Sequence, residues 1–287
     1  MASNNMPDIK RRIKSVRSTE HITNAMKLVS AAKLRKAKAT FEKTTKNFHF
    51  IIESIESIFN NTSEVPAKYL PGNREIYTTC YIIVTSNKGL CGSFNANVIK
   101  EAEAGMAGGP DPIIIAIGSK GRDYFGKRGY NIYSEYLAPP ETISFLETHD
   151  ISKPVIDMYN SGEIDEVRLV YTSYRSTLEQ RVKSITLLPF HIDPDPDVAK
   201  HEKEVEYEPS VEAVFNYLVP KYVEIELYGA IVESATCEHA ARRMAMENAT
   251  DNAREMLENL SLFYNRARQA AITDAIIEIV AGSEAQK

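Results

Sequence analysis

Glycine and proline are crowded into the middle of this chain and leave its two ends almost clear. Residues 8–65 contain neither, and residues 230–281 contain neither. The span from Pro66 to Pro220 holds 11 of the 13 glycines and 12 of the 13 prolines. Both residue types break helices, proline by removing an N–H and clashing with the preceding turn, glycine by its backbone entropy. Their absence over such lengths permits two helices of roughly 75–85 Å each, more than a compact domain needs. The chain therefore reads as a long N-terminal helix over 1–65, a globular body over 66–210 and a long C-terminal helix over 211–287.

Apolar residues at the N-terminal end recur in steps of four and three: Ile9, Ile13, Val16, then Ile22, Met26, Val29, then Ile51, Ile55, Ile58. These are narrow stripes of the coiled-coil kind. Pro7 suits a first turn, and Asp8 sits favourably at the positive end of the helix dipole. The C-terminal stripe is more regular, running through Met246, Thr250, Ala253, Leu257, Leu260, Tyr264, Ala267 and Ala271. Small residues recur on both sides, among them Ala25, Ser30, Ala31, Ala267 and Ala270, and they let two helices approach closely. Long helices at both ends of one chain pair most simply antiparallel, although Glu20, Thr23 and Lys27 make the N-terminal seam polar.

Between the ends, 76–85, 113–117, 167–174 and 182–188 are β-branched or alternating runs and read as strands. Helical patterns fit about 94–105, 119–128 and 151–161. Strands alternating with helices predict an open, Rossmann-like α/β sheet with parallel strands. From Asp193 to Pro209 the chain alternates Asp, Glu and Pro and reads as an exposed acidic loop.

Charge narrows the function classes. The net charge is −5, yet residues 1–46 carry 12 Lys or Arg against Asp8, Glu20 and Glu42, a local +9 that leaves −14 elsewhere. A basic helix of this kind suits an acidic partner, or is a solvated face. Nucleic acid is disfavoured as that partner, because the first 46 residues hold a single aromatic, Phe41, and the remaining negative charge repels phosphate. The odd set Cys80, Cys91 and Cys237 has no C-x-x-C pair, and the six histidines lack ligand spacing, so no metal or cofactor is expected. No run of 18 apolar residues is present, and the first residues lack the apolar core of a signal peptide, which points to a cytosolic or peripheral protein.

The turn Ser86-Asn87-Lys88-Gly89-Leu90-Cys91-Gly92-Ser93 passes from strand to helix, a geometry that can cradle phosphate. It matches neither G-x-x-x-x-G-K-[ST] nor G-x-G-x-x-G, so a structural turn is favoured over a nucleotide site. No paired carboxylates and no Ser/His/Asp or Cys/His set suggest catalysis. A small-molecule enzyme built on Gly89–Gly92 is the remaining enzymatic alternative.

Several strings carry a resemblance. Ile9-Lys10-Arg11-Arg12-Ile13 and Ile22-Thr23-Asn24-Ala25-Met26-Lys27-Leu28-Val29-Ser30-Ala31-Ala32-Lys33-Leu34 resemble the N-terminal helix of the gamma subunit of F-type ATP synthases. Asn87-Lys88-Gly89-Leu90-Cys91-Gly92 is similar to that family's glycine turn. Ala240-Ala241-Arg242, Ala249-Thr250-Asp251-Asn252-Ala253 and Tyr264-Asn265-Arg266-Ala267-Arg268-Gln269-Ala270-Ala271-Ile272-Thr273 resemble its C-terminal helix. The resemblance covers essentially the whole chain, in order.

It implies a rotor without catalytic site or cofactor: an antiparallel coiled-coil shaft inside a ring of three alpha and three beta subunits. It also implies an α/β body meeting epsilon and the c ring, on the cytoplasmic side of a bacterial cell membrane, coupling ion flow to ATP synthesis. The membrane would be reached only through the c ring. Residue by residue it implies that Met26, Lys27, Arg242, Gln269 and Thr273 contact beta, and that Tyr207 and Glu208 face the c ring or epsilon. The chain departs from the family pattern at Asp274-Ala275, where a Gln-Glu pair is usual, at Ala281-Gly282 in place of Gly-Gly, and at Arg243 in place of an apolar residue. It has no inserted cysteine pair of the chloroplast kind.

Overall fold

The computed structural model describes residues 6–61, 66–70, 72, 76–109, 112–190, 208 and 210–284. Helix α1 spans Met6–Asn61 and helix α5 spans Val211–Glu284, 56 and 74 residues long. The C-terminal helix runs straight through Pro220, which forfeits one backbone hydrogen bond but does not end it. Between them lie strands β1 (Thr79–Val84), β2 (Pro112–Ile117), β3 (Asn131–Tyr136), β4 (Glu166–Tyr174) and β5 (Gln180–Leu188). Helices α2 (Phe94–Met106), α3 (Ser119–Lys127) and α4 (Phe145–Ser161) alternate with them. The described residues fall into two compact units, 1–31 with 242–287, and 32–241.

In the larger unit the sheet order is β3-β2-β1-β4-β5. Strands β1 to β4 pair in parallel, and β5 returns antiparallel as a hairpin on β4. The parallel expectation thus holds for four strands, and the fifth is an antiparallel edge. Alternation in β1 builds the layers. Cys80, Ile82 and Val84 join Ile151, Val155, Phe215, Val223 and Leu227 of α4 and α5 on one face. Tyr81 and Ile83 face Val98, Ala102 and Phe125 of α2 and α3 on the other. The chain turns out of β2 at Gly118, whose φ is 93° and where a Cβ would sit 2.2 Å from the Thr85 carbonyl oxygen, so only glycine fits.

Two elements differ from the sequence expectation. Helix α4 begins at Phe145, not near 151, because Ser144 and Glu147 form a reciprocal capping box that starts it early. Strand β3, unanticipated, is a half-exposed edge whose residues alternate between exposed and partly buried.

In the smaller unit the two helices run antiparallel: Thr23 meets Thr250, and Arg254 reaches Glu20 at 3.2 Å. All eight C-terminal stripe residues from Met246 to Ala271 are buried or partly buried. On α1 the seam begins as expected with Ile9, Ile13 and Val16 and then keeps step through Glu20, Thr23, Lys27 and Ser30. The expected triad Ile22, Met26, Val29 is out of that phase: Ile22 and Val29 are 57% and 58% exposed and Met26 only partly buried. The side chains of Ile51, Ile55 and Ile58 lie outside those described.

Candidate partner interface

The smaller unit is polar at the middle of its seam and carries several large apolar residues on its outside. Its seam buries Thr23, Ser30 and Thr250 and holds Glu20 and Lys27 partly covered, while Ile22, Leu28, Val29, Met256, Leu262 and Phe263 face outward. The polar seam is locally satisfied. Thr250 donates to Thr23 at 2.9 Å, and Thr23 donates onward to the Glu20 carbonyl at 3.1 Å. Outward apolar residues on this scale mark a surface that another protein covers.

Charge is layered onto the same surface. Lys10, Arg11, Arg12, Lys14 and Arg17 are exposed along the first turns of α1, with Arg11 bonded to Asp8 at 2.7 Å. Small residues Ala267 and Ala270 leave a notch of about 730 Å³ beside Ile9, lined also by Asp8, Arg12 and Arg266. Two guanidinium groups against one carboxylate leave the notch with net positive charge, which suits a carbonyl-rich or acidic segment.

The residues singled out from sequence do not form one cluster. Lys27 lies on the seam side of α1 and Met26 beside it, both partly buried. Arg242 is 8% exposed, a buried charge rather than a solvated one. Gln269 and Thr273 are exposed and joined by a bond from Thr273 Oγ1 to the Gln269 carbonyl at 3.0 Å. Arg242 and Gln269 are separated by roughly 40 Å of helix. Glu208 is exposed, and Tyr207 lies outside the described residues.

Beyond Ala271 the seam stops and α5 continues fully exposed to Ser283. This end carries Ile272, Ile276, Ile277, Ile279 and Val280, exposed by 52% to 72%. Reading the stripe to Ala271 did not single out these residues as a surface. Their signal is five large β-branched residues in nine positions with only Asp274 and Glu278 charged between them.

In the larger unit the glycine turn spends its polar groups on itself. The Ser86 N–H donates to Asn95 Oδ1 at 2.9 Å, and Asn87 accepts from the Ser119 N–H at 2.8 Å while donating to the Leu137 carbonyl at 2.7 Å. Leu90 stands at its tip with φ 61°, a left-handed conformation uncommon for leucine. Elsewhere, burial works to raise the Glu224 carboxyl, but bonds from His149 at 2.6 Å and Lys221 at 2.8 Å prevail and hold it below the usual carboxylate range. That cluster ties α4 to α5.

Comparison with known proteins gives a consistent result. The family model described as ATP synthase matches residues 5–286. The ATP synthase gamma chain of Alkaliphilus metalliredigens is 46% identical over 286 residues, covering 98% of this chain and 99% of that one. The sodium ion specific ATP synthase gamma chain of Acetobacterium woodii is 41% identical over 298 residues, covering 98% of each. Among solved structures, the Tetrahymena thermophila mitochondrial ATP synthase central stalk and c ring contributes a chain at TM-score 0.64 and 26% identity, covering 79% of this chain and 99% of that one. A chain of the Euglena gracilis mitochondrial ATP synthase has the same fold at TM-score 0.72 and 19% identity, covering 99% of this chain and 95% of that one.

Proposed function

Since the chain belongs to the ATP synthase gamma family, we propose that its own part in that assembly is mechanical and that the chemistry lies on other subunits. It is the central-stalk rotor subunit of a rotary ATP synthase, with alpha and beta subunits and a c ring as partners. The assembly is membrane-associated, and no described helix is long and apolar enough to cross a membrane.

The reading is carried by the large apolar residues that the helix pair turns outward, Ile22, Leu28, Val29, Met256, Leu262 and Phe263, around a seam that is polar at Glu20, Thr23, Lys27 and Thr250. A coiled coil that faces only water keeps such residues in its seam. Apolar residues on the exterior are suited to turning inside a protein collar, where smooth dispersion contacts hold the axis without fixing a rotational angle. The exposed arginines and lysines of α1 add angular preference, because each passes acidic groups on the collar in turn. On this reading three alpha and three beta subunits surround 1–31 and 242–287. Met26, Lys27, Arg242, Gln269 and Thr273 meet beta, and the ends of the long helices bound domains at 1–65, 66–210 and 211–287. The body over 66–210 meets epsilon, Tyr207 and Glu208 face the c ring, and the whole lies on the cytoplasmic side.

The test is co-expression with the alpha and beta subunits of the same organism. One copy of this chain should co-purify with three of each, and a bead attached to the body should rotate during ATP hydrolysis. Failure to co-purify, or hydrolysis by the assembly without rotation of the bead, overturns the reading.

A further inference from the structure

The larger unit contains a cavity lined by none of the individual residues assigned above to partner contacts. It has a volume of about 290 Å³ and lies between α1, the turn at Glu141–Ile143 and α5. Its apolar wall is Ala37, Ile143, Val232 and Ala235, each buried. Lys33, Lys36, Glu141 and His239 bring its ionic groups, and Thr40, Thr142 and Tyr228 complete the lining. A concave apolar wall with a few polar groups is the usual form of a small-molecule site.

The charges that line it are unequal. Glu141 Oε1 accepts from Lys33 Nζ at 2.9 Å and lies 3.7 Å from His239 Nε2, so one carboxylate oxygen faces both groups. Lys36 lines the same cavity and has no ion-pair partner among the described residues. With two ammonium groups against one carboxylate, the rim carries positive charge beside an apolar wall. We propose that this cavity binds a small amphipathic monoanion, its acidic head on Lys36 and its apolar body against Ile143, Val232 and Ala235. Glu141 sets the orientation, because it repels the head from its own side and leaves Lys36 as the anchor. Lys36 is exposed on a helix surface, so replacing it does not disturb packing.

The experiment titrates decanoate into the full chain assembled with its alpha and beta subunits, with binding followed by calorimetry. Saturable binding is expected, weakened about tenfold in Lys36→Ala, the factor that about 1.4 kcal/mol represents, and retained in Lys36→Arg. A second variant, Ala235→Leu, fills the wall and should abolish binding while the chain still assembles. Decanol should bind at least tenfold more weakly than decanoate. No saturation, equal binding to Lys36→Ala, or equal binding of decanol overturns the proposal. Because assembly is the starting material, none of these outcomes bears on the rotor reading.

Discussion

Thr250 Oγ1 lies 2.9 Å from Thr23 Oγ1 in the middle of the antiparallel seam, with both residues buried. The pair fixes register across two helices whose seam is otherwise poor in large side chains there. Each hydroxyl also has a backbone carbonyl close by, Met246 at 2.7 Å for Thr250 and Glu20 at 3.1 Å for Thr23. Replacing either threonine by valine leaves the other hydroxyl satisfied, so each single variant should cost only about 0.5–1.5 kcal/mol. The double variant Thr23→Val with Thr250→Val should cost less than the sum of the two single variants, since the bond between the hydroxyls is lost only once. Hydrogen exchange over 242–271 in the four proteins of this cycle measures it. Strictly additive losses would show that the two hydroxyls do not communicate.

The exposed end of α5 should matter to assembly more than to the chain itself. Changing Ile276 and Ile279 to serine removes outward apolar surface, 56% and 72% exposed, that no described residue covers. The isolated chain should then be at least as soluble and as resistant to heat, while its retention in the alpha and beta assembly weakens. Size-exclusion chromatography after dilution reads the difference. Equal retention would place this end outside the collar.

The His149–Glu224–Lys221 cluster gives the larger unit an acid limit. Because the Glu224 carboxyl is held below its ordinary value, the folded chain binds fewer protons there than the unfolded one. Its contribution is complete above the ordinary carboxylate range, near about 4.3, and is lost as pH falls through the lower folded value. Glu224→Gln should lose about 1.5–3 kcal/mol at neutral pH. Its deficit should shrink as the buffer is acidified below the carboxylate range, in urea titrations at successive pH values. A deficit that does not change with pH would assign the cost to packing alone.

Gln269 and Thr273 are both exposed, and the bond between them is a local back-bond to a helix carbonyl that contributes little to stability. Gln269→Leu or Thr273→Val should therefore leave thermal unfolding within about 0.5 kcal/mol of the parent. ATP hydrolysis by the assembly should fall several-fold, with assembly itself intact. Parallel loss of assembly and activity would contradict a role at a moving contact.

The C-terminal seam was legible residue for residue, because Met246 to Ala271 keeps one phase and the structure buries that phase. On α1 the same logic misled at Ile22 and Val29. Apolar periodicity reports which face leaves water, but not whether the face turns to its own chain or to another one. Here the intrachain seam is held by Thr23 and Ser30, and the isoleucine and valine point to the outside. Strand β3 was hidden for a related reason: Asn131, Ser134 and Glu135 leave too few apolar positions at a sheet edge to register. The start of α4 was encoded in Ser144 and Glu147, a pair legible in the sequence, although the apolar pattern becomes strong only at Ile151. No spacing rule brings Lys33, Glu141 and His239 together, since they come from three separate segments of chain.

The isoleucines beyond Ala271 bear on supply as much as on rotation. A copy made in excess of its ring exposes them with nothing to cover them, and such surface is what chaperones and proteases recognise. Surplus copies are therefore expected to be shorter-lived than assembled ones, which draws the number of rotors toward the number of rings.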